Sequence, residues 1–198
     1  ENRSLRCDSL DYDMASNVGN YFGGRGTLVF NGNTVVADKG DYNTETHDAN
    51  FYDNVVIFTP KYKISTPTAH GNTETGLMHV VGKSVIRTRK GEVINTNDGT
   101  YNSITDHMEL QGFSTIKSRE RDVQGDNIIY NSTTGEAEGH GNVKIVDKVN
   151  KRIMTGNDIT YNSRKGYTEG FGNVKIIDNK ENRTIICLLY TSPSPRDA

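Results

Sequence analysis

The chain has few of the residues that build a thick globular core. Only 33% of its 198 residues are hydrophobic, tryptophan is absent and the mean hydropathy is -0.68. Its apolar runs extend for only a few residues, far below the roughly 20 that a membrane-spanning helix needs. The formal charge is -2 and the basic residues are scattered, so electrostatics favour no nucleic-acid partner. An array of repeated units tolerates these shortages, because each unit need only bury one face against its neighbours.

Cysteine is also scarce, and one of the two cysteines lies in an unusual tail. Residues 187–198 read CLLYTSPSPRDA, and a codon reading of this tail reproduces a widely used transposon-based sequencing adapter. We interpret the tail as non-native, which leaves one domain at residues 1–186, expected to be a fragment of a longer protein. With Cys187 set aside, Cys7 alone supports neither a disulfide nor a cysteine metal site.

What the chain has instead is an internal repeat. Residues 125–155 and 156–186 align without a gap and are identical at 15 of 31 positions. Self-similarity at this period predicts an array of about six repeats of roughly 30 residues. The repeats are anchored by a Tyr-Asn-Ser motif, with weaker copies earlier in the chain and one copy near Asn72 that has lost its tyrosine; the anchoring tyrosines are Tyr12, Tyr42, Tyr101, Tyr130 and Tyr161.

Each repeat reads as two strands and two turns. Ile128 and Tyr130 alternate with polar residues, as do Val143 and Ile145, and a period of two indicates a half-buried strand. Polar turns separate the strands, for example at residues 132–135. Because short turns join antiparallel neighbours, we predict legs of about 11–13 residues that run out and return.

Glycines inside the returning leg predict a fold in the sheet itself. Gly139 and Gly141 recur as Gly170 and Gly172. Glycine within a strand indicates a bulge or a sharp bend. We therefore expect an all-β sheet creased into a V or a flattened roll, and no segment shows a helical period.

With the repeat aligned, its pattern resembles that of a known family. The pattern is Ile-x-Tyr-Asn, then Gly-x-Ala-x-Gly-x-Gly-Asn-Val-x-Ile-x-Asp, carried by Ile128–Asp147 and, less one alanine, by Ile159–Asp178. It resembles the LptA/OstA family of lipopolysaccharide-transport proteins, and most closely the larger OstA-like proteins of the Bacteroidetes type. The resemblance covers about residues 12–186. It implies a creased antiparallel β-jelly-roll in the periplasm, although no signal peptide is visible in the chain.

The resemblance also implies a ligand and partners. The ligand is lipopolysaccharide, whose lipid A acyl chains such modules shield while bridging the inner and outer membrane machinery. The partners are other Lpt-type β-jelly-roll proteins that pair by edge strands, with head-to-tail self-association of the chain itself. The residues expected to face the lipid are the period-two apolar positions Ile128, Tyr130, Val143, Ile145, Ile159, Tyr161, Val174 and Ile176.

The same eight positions have a simpler interpretation, in which they pack against each other as ordinary core. Lys144 and Lys175 fall on the opposite face, where we expect them to be solvated, with contact to a phosphate as the alternative. No cofactor is expected.

Catalytic interpretations find little support in the sequence. Asp106 and His107 beside Glu109 are a weak metal candidate, so no metal site is predicted. Asp147 and Asp178 recur, but they open polar turns where Asp bonds local backbone. We therefore expect no enzyme. No pair among the histidines has metal-ligand spacing; they are His47, His70, His79, His107 and His140.

Two other functions stay open. A structural or adhesive β-solenoid, or a carbohydrate-binding surface array, would favour parallel coils. A glycan-processing β-helix enzyme would need an acidic cluster on one face, which the repeats do not contain. Polar turns at both ends of each repeat favour antiparallel legs and hence the transport interpretation.

Overall fold

A computed structural model describes residues 3–131, 133–162 and 164–192, which form sixteen β-strands joined by turns. The strand pairs within each unit are antiparallel, which confirms the all-β antiparallel prediction and disagrees with parallel coils. Among the described residues no helix has the length and apolar character that a membrane span requires. The chain divides into two compact units, one of residues 1–90 with 97–105 and one of residues 91–96 with 106–198.

The first unit begins with short strands and continues with long ones. Two branches, β1–β4–β5 and β2–β3–β6, meet on β7, from which β8 and β9 follow in order. The strands are β1 (Ser4–Arg6), β2 (Ser9–Asp13), β3 (Val18–Phe22), β4 (Gly26–Phe30), β5 (Asn33–Ala37), β6 (Lys39–Asn43), β7 (Asp48–Phe58), β8 (Tyr62–Asn72), β9 (Leu77–Thr88) and β10 (Val93–Asn102), the last of which divides between the units.

β7 joins the two branches because its two halves have different partners. Ala49–Tyr52 pairs with β6, whereas Val56–Phe58 pairs with β5. The two branches therefore become the two leaves of one creased sheet, and the strands after β7 run through both leaves. The period-two pattern does not reveal this break, because each short strand keeps the same alternation as half of a long one.

The second unit is a simple meander of long hairpins. Each strand pairs with the next along the chain, as the repeat predicts. The strands have 10 to 12 residues, close to the predicted leg length. They are β11 (His107–Lys117), β12 (Arg121–Asn131), β13 (Glu136–Asp147), β14 (Arg152–Asn162), β15 (Tyr167–Asp178) and β16 (Arg183–Ser192).

The repeat anchors form the turns at one end of the hairpins. In each copy the side-chain oxygen of the anchor accepts backbone N–H groups two or three residues on, as in an Asx-turn. The degenerate repeat copy near Asn72 forms the same turn, since Asn72 Oδ1 accepts from the N–H groups of Glu74 and Thr75 at 3.0 Å each. Ser132 and Ser163, predicted to start two of these turns, lie outside the described residues. The anchors are Asp13, Asn43, Asn72, Asn102, Asn131 and Asn162.

Within the first unit, each turn also bonds the turn of the preceding repeat. The Thr73 N–H donates to the His47 carbonyl at 3.0 Å, and the Ser103 N–H donates to the Gly76 carbonyl at 2.9 Å. These bonds pair backbone groups that the strand ladders leave over. The turns therefore stack, which holds the repeats in register.

The predicted crease is present in the returning strands. On β13, Gly141 and Asn142 both have left-handed φ angles, of 69° and 50°, and the register with β12 shifts between Gln124 and Asn127. A Cβ built on Gly139 would lie 2.9 Å from Cγ1 of Val143. Residues four apart on an extended strand are about 13 Å apart. β13 therefore doubles back at the bulge, and its two halves face each other.

The space inside the crease is narrow, and glycine makes room for large side chains. Along one row of the inner face Ile128 opposes Gly139, Gly139 opposes Ile159, and Ile159 opposes Gly170. Isoleucine and glycine alternate across the strands, so the side chains of the two leaves interdigitate without clash. The buried cluster of this unit is Val143, Met154, Ile159, Val174 and Ile176.

Part of the tail that the sequence analysis set aside lies within the last strand, β16. Residues 187–192 extend β16, where Cys187 opposes Val174 and Tyr190 opposes Gly170. Both side chains pack against the buried cluster, as does Ile185 of the same strand. The adapter origin of this segment stays a prediction, and residues 193–198 lie outside the described residues.

Candidate lipid-binding recess

The structure places all eight predicted lipid-facing residues at buried or half-buried positions of the second unit. Lys144, which was expected to be solvated, is half-buried like Ile145 beside it, whereas Lys175 is exposed between buried Val174 and Ile176. The buried residues are Ile128, Val143, Ile159, Val174 and Ile176, and the half-buried ones are Tyr130, Ile145 and Tyr161.

The free ends of the two leaves meet at a mouth. The Arg121 guanidinium lies 4.2 Å from the ring centroid of Tyr161. In a flat sheet Arg121 would stand near Arg152, two strands away, and Tyr161 is nine residues further along that strand, about 30 Å distant. Only a creased sheet brings the two side chains together. Their contact spans the opening between the leaves.

Beneath this contact lies a recess of about 110 Å³. Its floor is apolar, formed by Ile145, Met154 and Ile176, and two tyrosine rings and charged groups line its sides. The recess is thus amphipathic, with hydrocarbon inside and charge at the opening. The complete lining is Arg121, Ile145, Asp147, Arg152, Met154, Tyr161, Thr168, Ile176 and Tyr190.

The charge at the opening is an ordered row that crosses five strands. Arg152 Nε donates to Asp178 Oδ2 at 2.8 Å, and an Arg121 terminal nitrogen lies 3.5 Å from Asp147 Oδ2. Arg183 lies 3.7 Å from the same oxygen of Asp178. We call this row the rim ladder; its members oppose one another in the order Arg121, Asp147, Arg152, Asp178, Arg183.

The two acids of the rim ladder are held ionised. The backbone N–H of Glu181 and the guanidinium of Arg152 lower the pKa of Asp178 below its usual value. Burial alone would raise the pKa of Asp147, but hydrogen bonds from Asn150 and the charge of Arg121 lower it overall. Both carboxylates also bond the backbone of the turns that they open, as the sequence predicted.

Tyr130 lies further along the inner face and is held in its neutral form. Burial, reinforced by the negative charges of Glu92 and Asp106, raises the pKa of Tyr130 to about 12. A neutral phenol adds no charge to the inner face, which stays apolar away from the rim.

The first unit closes the equivalent mouth differently. Tyr62 and Arg121 hold the same position at the start of their strands. The backbone N–H of Tyr62 donates to the Thr59 hydroxyl, and that of Arg121 donates to the Ser118 hydroxyl, in each case three residues earlier. Tyr62 packs edge-on against Tyr101 at 5.0 Å between centroids, and both rings are buried. This mouth is closed by two aromatic rings, whereas that of the second unit carries a cation.

Another apolar recess, of about 210 Å³, lies at the N-terminal strands of the first unit. Its walls include Leu5 of β1, Leu10 and Tyr12 of β2, and Leu28 of β4. β1 and β2 stand on different leaves, so the recess opens between the first strands of the two branches.

The histidines take part in polar pairs on the sheet. His140 Nδ1 bonds Asp158 at 2.7 Å, and His79 Nε2 bonds Asp98 at 2.8 Å. The carboxylate of Asp106, the weak metal candidate, is buried and accepts from the Thr133 hydroxyl at 2.9 Å. Within the described parts of the chain no three His, Cys, Asp or Glu side chains are grouped to hold a metal ion.

The sequence prediction missed the charged residues of the recess. Arg121, Arg152 and Arg183 recur at intervals of 31 residues, the period of the repeat, and this spacing was the available signal. Met154 was missed as well; its repeat partner is Ile185, a half-buried residue of the last strand.

Crease, mouth and recess together define an antiparallel β-array with an amphipathic interior. Residues 1–67 match the family model of OstA-like proteins. The first third of the chain is therefore similar to OstA-like proteins, which confirms the predicted resemblance. The matched segment contains the short strands and weak repeat copies, rather than the two clear copies near the C-terminus.

Comparison with solved structures gave twenty matching chains. One is LptH, described as the LptA-homologous periplasmic component of the lipopolysaccharide transport device of Pseudomonas aeruginosa. It is 12% identical, with a TM-score of 0.32, and the match covers 78% of this chain and 93% of that one. No curated protein matches the chain by sequence.

Proposed function

We propose that this chain is a non-catalytic periplasmic component of lipopolysaccharide transport, and that its creased interior shields the acyl chains of lipid A. The observation that carries the proposal is the recess of the second unit, where Ile145, Met154 and Ile176 form an apolar floor that opens at the mouth. The OstA-like match of residues 1–67 supports the same class of function.

The energetics suit a carrier rather than a tight receptor. Each methylene removed from water contributes about 0.8 kcal/mol. A recess of about 110 Å³ admits only part of an alkyl chain. Weak, reversible contacts let the lipid move on, which a transport protein requires.

The edges of the array suit assembly with similar proteins. Among the described strands β1 pairs only with β4, β2 only with β3, and β16 only with β15. Unpaired strand edges recruit further strands. We propose that another β-jelly-roll of the same kind, or a second copy of this chain, adds to these edges. Light scattering should then show a mass that rises with concentration; a strict monomer at all concentrations would contradict this part of the proposal.

Site-specific photocrosslinking to lipopolysaccharide tests the main proposal. The probe replaces Ile145 on the recess floor, and the matched control replaces Lys144, its neighbour on the opposite face. A second pair, Ile176 and Lys175, repeats the comparison on β15. We expect adducts at Ile145 and Ile176 only. Two results would mean that the apolar face is ordinary core. One is equal labelling of both faces, and the other is no labelling at Ile145 in a sample that circular dichroism shows to be folded.

A further inference from the structure

We propose that the rim ladder is an anion subsite that takes the phosphate head of an amphiphile whose alkyl chain enters the recess. Arg121 and Arg152 are the donors, and the floor beneath them receives the first methylenes. The inference rests on the proposed function and adds to it a preference for a charged phosphate head over a neutral one.

The composition of the rim ladder leaves positive charge unbalanced. Three arginines alternate with two aspartates, and both aspartates are ionised because their pKa values are lowered. The ladder therefore carries one net positive charge. A guanidinium has five N–H donors, and the ion pairs occupy one nitrogen of Arg121 and one of Arg152. Donors remain for a second anion at each residue.

The positions of head and chain follow from the strand period. Asp147 stands two residues beyond Ile145, and Arg152 stands two residues before Met154, so the charged row and the apolar floor share one face. Two residues along a strand span about 7 Å. A phosphate at the ladder would place the attached alkyl chain directly over the floor, which fits an amphiphile bound head outward.

A ligand can enter if Arg121 exchanges its contact with the Tyr161 ring for a contact with the phosphate. The side chain of Arg121 is 29% exposed, and its ion pair with Asp147 is long at 3.5 Å. Charge-assisted, bidentate bonds between guanidinium and phosphate are stronger than contact with a ring face. Arg121 can therefore leave Tyr161 for the phosphate, which opens the mouth above the recess.

The first unit provides the contrast within the same chain. Its equivalent position holds Tyr62, which packs against Tyr101 and carries no charge. A phosphate head meets no cation at that pair. Head-group selectivity is therefore expected at the mouth of the second unit and not at the Tyr62–Tyr101 mouth.

The test measures binding of three probes to the intact chain by titration calorimetry. The probes are decyl phosphate, decanol and inorganic phosphate, so that chain and head are assessed separately. We expect decyl phosphate to bind at least tenfold more tightly than decanol, and inorganic phosphate to bind more weakly than decyl phosphate. The preference should fall as salt is raised, because the subsite is partly exposed.

Variants identify the residues responsible. The double substitution Arg121→Gln with Arg152→Gln should abolish the preference for decyl phosphate over decanol, and a circular dichroism spectrum like that of the wild type reports that the sheet is still folded. The matched control, Lys144→Gln with Lys175→Gln, removes the same charge from the opposite face and should keep the preference. The conservative double substitution Arg121→Lys with Arg152→Lys keeps the positive charge but loses the bidentate guanidinium geometry. This variant should keep part of the preference for decyl phosphate.

The outcomes separate this inference from the proposed function. Equal binding of decanol and decyl phosphate would overturn the anion subsite and leave the apolar recess intact. Absence of binding by both alkyl probes would overturn the recess itself. Equal losses in the arginine pair and the lysine pair would mean that net charge, rather than the rim ladder, attracts the phosphate, and this too would overturn the inference.

Discussion

Arg121 lies over the ring of Tyr161 at 4.2 Å although the two residues are forty positions apart in the chain. Tyr62 and Tyr101, thirty-nine positions apart, make the equivalent contact in the first unit at 5.0 Å. Both contacts join the start of one strand to the end of the second strand after it. The mouth is thus a fixed position of the repeat, and the residue placed there decides whether the opening is apolar or charged.

The substitution Arg121→Tyr should give the mouth of the second unit an aromatic pair like the Tyr62–Tyr101 pair of the first unit. The new ring would pack on Tyr161, and an aromatic pair adds about 0.5–1.5 kcal/mol to the free energy of unfolding. Urea unfolding measures the change, and the preference for decyl phosphate should be lost in the same variant. Arg119→Tyr, on the exposed turn before β12, is the control and should alter neither property.

Gly139→Ala should destabilise the second unit because the added methyl group meets Val143 at 2.9 Å inside the crease. Overpacking of this kind costs about 1–3 kcal/mol in the free energy of unfolding. Val143→Ala alone leaves a cavity and is also destabilising. The double variant should recover part of the loss, since the smaller side chain accommodates the methyl group.

Gly156→Ala is the matched control for that cycle. Gly156 is buried on the neighbouring strand, and a Cβ there would meet Ile159 at 3.4 Å, close to ordinary contact. We expect a loss well below that of Gly139→Ala in urea unfolding. Additive effects of Gly139→Ala and Val143→Ala would contradict the contact across the crease.

Asn102→Ala should cost about 1–2 kcal/mol in unfolding free energy, because two backbone N–H groups, of Ile104 and Thr105, lose their acceptor. Asn102→Asp should cost less, since a carboxylate accepts the same bonds and Asp13 does so in the first repeat. Thermal unfolding of the two variants gives the order. If Asp proved as damaging as Ala, the amide bond to the Thr75 carbonyl would be the important one.

Acid should destabilise the protein partly through Asp178. Its pKa is lowered in the folded state, so its contribution is complete above the unfolded value of about 3.9 and is lost as pH falls through the folded value. In that window the unfolded state binds more protons, and stability rises with pH. Urea unfolding between pH 7 and pH 2.5 should show a shallower acid slope for Asp178→Asn than for the wild type. Parallel slopes would remove Asp178 as a cause.

The sequence predicts the parts of the fold that repeat with little variation. The anchors at Asn131 and Asn162 mark turns because an Asx-turn needs only a local side chain. Gly139 and Gly141 mark the crease because few other residues fit a tight bend. The inner face follows from a period of two, which is a property of the strand alone.

Contacts across the crease could not be predicted in the same way. Arg121 and Tyr161 are each ordinary in their local setting, and their meeting depends on the angle between the leaves. The branches of the first unit were missed because β5 and β6 keep the alternation of one long strand. The tail was set aside because of its apparent origin, although Cys187 and Tyr190 fit the inner face.

The one-residue surplus at each crease limits how such a chain can change in length. On β13 four steps separate His140 from Lys144, whereas three separate Gln124 from Asn127 on β12, so every bulged strand needs an unbulged neighbour. A single inserted or deleted residue within a strand would move one leaf out of phase with the other and turn its apolar side chains outward. Only a whole hairpin, with its bulge and its Asx-turn, can be gained or lost without that penalty. Proteins built in this way should differ in length by steps of about thirty residues, because the bend in the sheet must recur at the same place in every hairpin.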